Sequence, residues 1–276
     1  MATTTSPDHG APPAKPVRYA EQAPGTALAD VVLSYWTFET RADAEPFVHH
    51  IWPDGCISIS VGARSAGDPP FAGIAGPTAE ARRFPVGGGA CYHGVRFWPD
   101  VGGAALGAAA ESLRDRMLPA AEVVGAAAAG ALLRTVTAAA DRDARARAFD
   151  EWIGEHLPPI PSPDPEVRRA VRAIVASHGE RPIAAIAADV GLGARQLQRR
   201  FGRAVGLTPK EYARVRRARS ALAALLRGDG NWAALAAELG YADQPHLIHE
   251  LGDLTGFTPV ALRERLAIID HADVVP

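Results

Sequence analysis

The stretch IAAIAADVG (183–191) recurs as WAALAAELG (232–240), an offset of 49 residues. One residue is gained in the turn that follows, and the parallel then continues at an offset of 50: Leu197 answers Leu247, Phe201 answers Leu251, Gly206 answers Gly256, and Thr208-Pro209 answers Thr258-Pro259. Each copy holds a short alanine-rich helix, a tight glycine turn, a second helix with apolar residues four apart, and a glycine followed by an X-Thr-Pro stop. That is the sequence form of a helix-turn-helix. Gly191 and Gly240 supply the left-handed backbone that ends the first helix, and the small Ala187, Ala188, Ala236 and Ala237 permit close helix crossing.

The second helix of the first unit is ARQLQRRFGRAVG (194–206). At about 100° per residue, Leu197, Phe201, Ala204 and Val205 fall on one face and point inward. Arg195, Gln198, Arg199 and Gly202 lie opposite, flanked by Gln196, Arg200 and Arg203. Arginine pairs bidentately with guanine and glutamine with adenine in the major groove, so Arg195, Gln198, Arg199 and Gln196 are the candidate base readers. Arg200, Arg203 and Lys210 are placed for phosphates, as are Arg214, Arg216 and Arg217 on the next helix. The equivalent helix of the second unit, QPHLIHELGDLTG (244–256), keeps little of that charge. His246 and His249 share a face that can meet DNA, whereas Glu250 and Asp253 would repel phosphates if turned toward the backbone. As a metal pair, His246 and His249 lack an evident third ligand, and no metal site is assigned.

The charge distribution agrees with this division. The whole chain carries 29 basic and 31 acidic side chains, a net of −2, which by itself argues against a nucleic-acid partner. Residues 168–227 alone hold thirteen arginines and Lys210 against three acids, a net of +11, while residues 228–276 carry −6 and residues 1–160 carry −5. A preference for arginine over lysine explains the residue type but not the local excess, whose self-repulsion needs a polyanion or an acidic neighbour.

Upstream lies LPPIPSPDP (157–165), with five prolines in nine residues, which cannot continue a helix and reads as a semi-rigid linker over 158–165. Residues 17–157 then form a separate α+β domain. LSYWTFE (33–39), CISISVG (56–62) and CYHGVRFW (91–98) read as strands of a small β-sandwich or barrel, and the alanine-rich stretch from Val101 to His156 as helices packed on it. Trp52-Pro53-Asp54-Gly55 reads as a β-turn. The first sixteen residues lack a basic start and an apolar middle. They read as a disordered tail, residues 269–276 as a second tail, and the chain as cytoplasmic. No run reaches the roughly 18 apolar residues of a membrane span. Neither a nucleotide loop, a G-x-S-x-G elbow nor an H-E-x-x-H helix is present, so the sequence offers no enzymatic motif.

Residues 166–268 resemble the DNA-binding domain of AraC/XylS-type transcriptional regulators. The resemblance rests on the two helix-turn-helix units, the joining helix PKEYARVRRARSALAALLRG (209–228), the GLTP and GFTP stops and the A-x-x-L-G-Y turn at Ala236, Leu239, Gly240 and Tyr241. It implies an all-α domain whose two units enter successive major grooves of double-stranded DNA, with reading positions at Arg195, Gln198, Arg199, His246 and His249. Gly252 and Asp253 stand where such proteins commonly keep basic residues, so the first unit is expected to dominate. IWPDGCISISV (51–61), GPT (76–78) and GVRFWPDVGGAALG (94–107) resemble a sensor-like domain found ahead of this unit, which implies effector binding or dimerisation. RNA polymerase, a second copy of the chain and an unidentified small-molecule effector are the further candidate partners, and no cofactor is implied.

Trp52, Cys56, Cys91, His93, Arg96 and Trp98 are the candidate effector residues. Cys56 and Cys91 with His93 suit a metal or thiol-based sensor, because residues two apart on a strand share a face. They equally suit ordinary burial. The competing functional reading is a ligand- or metal-binding module whose helical domain binds protein rather than DNA.

Overall fold

The computed structural model describes residues 15–227 and 231–272. Most of the first expected tail, and residues 273–276 of the second, lie outside the described residues.

The N-terminal region is built on a seven-stranded sheet of order β8-β5-β4-β7-β2-β1-β9. Its strands are β1 (Val17–Gln22), β2 (Val32–Thr40), β4 (Ser58–Ala63), β5 (Phe71–Ala75), β7 (Cys91–Phe97), β8 (Met117–Pro119) and β9 (Ile269–Ala272). A separate two-stranded ribbon pairs β3 (Phe47–Ile51) with β6 (Arg82–Val86). Alternation decides which side chain faces which layer. Tyr35, Ile59, Val61, Ile74, Val95 and Phe97 are buried in one cluster with Leu106, Leu113, Leu132, Val136, Phe149, Trp152 and Ile153 of the helical stretch. The helices are α1 (Gly102–Ala105), α2 (Ala110–Leu113), α3 (Ala120–Val124), α4 (Ala126–Ala138) and α5 (Arg142–His156). On the opposite face Phe38 and Tyr92 pack against the ribbon, with Phe38 4.3 Å from His49 and Tyr92 5.5 Å from Phe84 between ring centroids. The sandwich-or-barrel expectation thus takes the form of an open sheet covered by helices on one face and a β-ribbon on the other. No described helix is long and apolar enough to cross a membrane.

The remaining helices are α6 (Pro165–Ala176), α7 (Ile183–Asp189), α8 (Ala194–Val205), α9 (Pro209–Leu226), α10 (Trp232–Glu238), α11 (Gln244–Thr255) and α12 (Pro259–Ala267). Pro165, read as the end of the linker, is the first residue of α6 instead, because proline's missing N–H costs nothing there and Asp164 caps the Glu166 and Val167 amides. α6, α7 and α8 enclose one core around Val171, Ile174, Ile186, Leu197, Phe201 and Val205. α9, α10, α11 and α12 enclose a second around Leu235, Leu247, Leu251, Leu254 and Leu262. Gly191 and Gly240 have φ of +75° and +67°, as the turn requires. Only Ala187 and Ala236 are buried at the crossings, whereas Ala188 and Ala237 face outward.

The stretch expected as the second tail departs most from its sequence reading. Ile269–Ala272 pairs in parallel with Val17–Ala20, extending the N-terminal sheet with a strand from beyond the last helix. β1 would otherwise leave an unpaired edge.

Candidate nucleic-acid interface

The candidate reading helix, α8, turns three apolar side chains wholly inward, Leu197, Phe201 and Val205, each 0% exposed. This pins its other face outward. Arg195, Gln196, Gln198, Arg199 and Arg203 are all exposed and line an open concavity of about 940 Å³ whose far wall is Glu111 and Arg114 of the α2 region. Gly206 ends α8 at φ +79°, where an added Cβ would lie 2.7 Å from Pro77 Cγ and 2.8 Å from the Ala110 carbonyl. The N-terminal module therefore grips the end of α8. A Cβ added at Gly202, on the reading face, would sit 3.5 Å from Glu111 Oε1. Arg114 donates to both Glu211 oxygens (2.9 and 3.2 Å) and to the Gly206 carbonyl. Glu211 also accepts from the Thr208 amide in a capping box that starts α9.

In the second unit His246 and His249 are exposed. His246 Nδ1 accepts from the Ala242 amide at 3.3 Å, which leaves Nε2 outward, and His249 lies 3.7 Å from Asp253.

The expected phosphate contacts divide. Arg203 and Lys210 are exposed beside the reading face. Arg200 instead forks onto Asp164 at 2.6 and 2.5 Å and reaches Glu166 at 2.6 Å, tying α8 to the start of α6. Arg214 pairs with Asp253 at 2.8 Å and Glu250 at 3.4 Å, and Arg217 reaches Glu250 at 3.4 Å while lying over the Tyr241 ring. Arg216 is only 8% exposed. Arg200, Arg214 and Arg217 are held by acids that lie outside their own helices, which a projection of one helix does not show. Glu250, suspected of repelling phosphates, is 7% exposed and turned to α9, with the Tyr241 hydroxyl donating to it at 3.0 Å.

The candidate effector residues do not line one pocket. Trp52 packs on the core of the second unit. Trp98 donates its indole N–H to the Ala29 carbonyl and is covered by the Arg172 guanidinium, 3.2 Å from the ring centroid. Cys56 and Arg96 face a cavity with Glu21, Leu33, Asp54, Arg216 and Arg219, whose volume of about 10 Å³ admits no more than about one water. Arg96 pairs there with Glu21 at 2.8 Å and Asp54 at 2.6 Å. Burial alone would raise the Glu21 carboxyl, but Arg96 and Arg219 more than offset it and hold it below the usual range. Burial pushes the Cys56 thiol up, and Asp54 adds to this, so it is no reactive thiolate. Cys91 and His93 lie elsewhere, on the helix-covered face of the sheet beside Glu39.

Sequence reasoning missed Glu21, Asp54, Glu111 and Arg114. Asp54 carried one signal, its place before Gly55 in WPDG. Gly55 has φ +71°, and an added Cβ would lie 2.6 Å from Tyr212 of α9, so this bend is where the sheet module touches the long helix. The segment read as a β-turn is thus also a contact between the two modules.

Residues 186–265 match the family model of a helix-turn-helix domain, and residues 20–119 match a domain of unknown function, DUF6597. Similar solved structures include a transcriptional regulator of the AraC-type DNA-binding domain-containing proteins from Chromobacterium violaceum, 26% identical over 37% of this chain and 93% of that one, with a TM-score of 0.35. Another is the C-terminal domain of AraT, a response regulator from Geobacillus stearothermophilus, 21% identical over 37% of this chain and 85% of that one, TM-score 0.35. ToxT from Vibrio cholerae is 10% identical over 81% of this chain and 98% of that one, TM-score 0.41. No curated protein matches this sequence.

Proposed function

We propose that the chain is an AraC-type DNA-binding transcriptional regulator, with α8 its principal sequence reader and the N-terminal module its effector-responsive control; the match to a helix-turn-helix domain behind a DUF6597 domain supports this reading. The observation that carries this reading is the clean division of α8 between a buried apolar face and an exposed Arg/Gln face. Arg195, Gln198 and Arg199 read base edges with Gln196 at the margin, and Arg203 and Lys210 neutralise phosphates. His246 and His249 make a weaker second contact. Arg200, Arg214 and Arg217 tie helices of the domain together instead, and Arg216 is buried.

The N-terminal module acts on availability. Its grip on Gly206 and Glu211, and the Glu111 carboxylate beside Gly202, crowd the approach of a duplex to α8. A small-molecule effector that loosens this grip favours binding. The rival idea of a protein-binding helical domain drew on the acids of α11, and the inward pairing of Glu250 weakens that motive.

Genome-wide mapping of bound DNA supplies the operator for the test. On that duplex Arg199→Ala should cost ~1–3 kcal/mol and relax one base position, whereas Arg203→Ala should weaken operator and random duplexes alike and flatten the salt slope by about one. Absence of duplex binding at low salt overturns the reading of the domain. Equal losses from Arg199→Ala on operator and random DNA overturn its base-reading role.

A further inference from the structure

The antiparallel register of β2 and β7 sets Glu39 opposite Cys91 and Thr37 opposite His93, so all four side chains stand on one face of the sheet. Cys91 Sγ lies 3.0 Å from His93 Nε2 and 3.9 Å from Glu39 Oε1, and the three ligand atoms all fall within 4.8 Å of one another. A tetrahedral ion with bonds of ~2.0 Å to N or O and ~2.3 Å to S needs ligand atoms roughly 3.5 Å apart, and the two distances to sulfur bracket that value. His93 is only 7% exposed, and its Nδ1 is engaged by Thr37 Oγ1 at 3.2 Å, so the ring is held with Nε2 toward the sulfur. An outer partner on the far ring nitrogen is what orients a metal-bound imidazole.

We propose that Glu39, Cys91 and His93 form a binding site for a borderline divalent ion of the Zn²⁺ class, with Thr37 as the positioning residue and the fourth coordination place open to solvent. The mixed N, S, O donor set fits Zn²⁺ rather than Ca²⁺ or Mg²⁺, which favour oxygen alone. On binding, the thiol proton passes to solvent and the sulfur bonds the metal. The thiolate and the Glu39 carboxylate then balance the ion's two charges. Cys56 takes no part, because it faces Arg96 and the α9 arginines in the separate cavity. The Arg145 guanidinium of α5 acts on both Cys91 and His93 and opposes a cation there. The site goes beyond the DNA-reading proposal, and its occupancy is read with no DNA present.

The test titrates Co²⁺ into full-length, chelator-stripped protein and follows absorption, then displaces it with Zn²⁺. One equivalent should produce a thiolate-to-cobalt charge-transfer band with visible d–d bands of a tetrahedral centre. Cys91→Ser should abolish the charge-transfer band, and Glu39→Gln should weaken Co²⁺ at least 10-fold. Thr37→Val should weaken it ~10- to 100-fold with the band retained, Arg145→Ala should tighten it, and Cys56→Ala should leave it unchanged. Circular dichroism confirms that each variant is folded. Glu39 and Arg145 are only half-buried, so their variants keep the test decisive if His93→Ala does not fold. Absence of a saturable one-to-one signal overturns the proposal, as does a band that survives Cys91→Ser or disappears in Cys56→Ala.

Discussion

Arg96 is 8% exposed, and its guanidinium is divided between Glu21, itself 3% exposed, and Asp54 of the inter-module bend. Charges this deep repay their desolvation only while every partner is present. Arg96→Met should therefore destabilise the fold by ~3–5 kcal/mol, because Glu21 would lose the guanidinium paired with it at 2.8 Å, which the Tyr19 hydroxyl donating at 2.6 Å and the Arg219 charge do not replace. Adding Glu21→Gln should recover part of that loss. Urea denaturation of the three proteins measures both effects, and a single-variant loss under ~1 kcal/mol would show that the pair carries little. From GVRFW alone Arg96 reads as a ligand-pocket residue, since nothing local indicates an acid 75 residues earlier in the chain. The outward position of the candidate base readers was legible for the opposite reason. Their exposure follows from apolar residues three and four places away on the same helix, so the pattern lies within α8 itself.

α9 begins at a capping box in which Thr208 accepts from the Glu211 amide and Glu211 from the Thr208 amide. The Thr-Pro signal made this start readable in sequence. The second duty of Glu211, holding Arg114, was not readable, because Arg114 belongs to the other module. The Arg114 hydrogen bonds first of all, then the Thr208 cap, hold the Glu211 carboxyl down at about 2 against burial, compared with ~4.3 for an ordinary glutamate. The folded state thus takes up this proton later than the unfolded state as pH falls. Its contribution is complete above roughly pH 5 and is lost progressively as pH drops toward 2. Urea midpoints at pH 6 and pH 3 should fall further for the native chain than for Glu211→Gln. Equal falls would show that this carboxylate does not couple stability to pH. At the same scale the repeat reaches further than its glycine turns. At an offset of 50, Asp164 and Arg200 become Arg214 and Glu250, and each pair bridges the same two helices of its unit with the signs exchanged. The substitution of Arg200 by Glu250 thus preserves a helix-to-helix tie and says little about the groove.

The two modules of the molecule interlock. β9 crosses from the helical region to pair with β1, Arg168 reaches Asp100 at 3.1 Å, His50 packs on Phe257, and Arg114 closes on Glu211. The helical region was legible because its contacts are local and repeated. The sheet was legible only in its three central strands, since edge strands such as β8 and β9 owe their conformation to partners far along the chain. The docking matters for function because it brings the exposed Glu111 to the rim of the reading face. A carboxylate there opposes an incoming phosphate by an amount typical of exposed charges, ~0.2–1 kcal/mol. Glu111→Gln should therefore tighten operator binding by up to about fivefold at low salt. The gain should shrink as salt shortens the Debye length from ~10 Å at 0.1 M to ~3 Å at 1 M. It should appear equally on random duplex, because Glu111 meets the backbone rather than a base. Fluorescence anisotropy across a salt series with both duplexes decides the matter. If Glu111→Gln leaves affinity unchanged at the lowest salt, duplex DNA does not pass this wall when it reaches α8, and the modules must separate before binding.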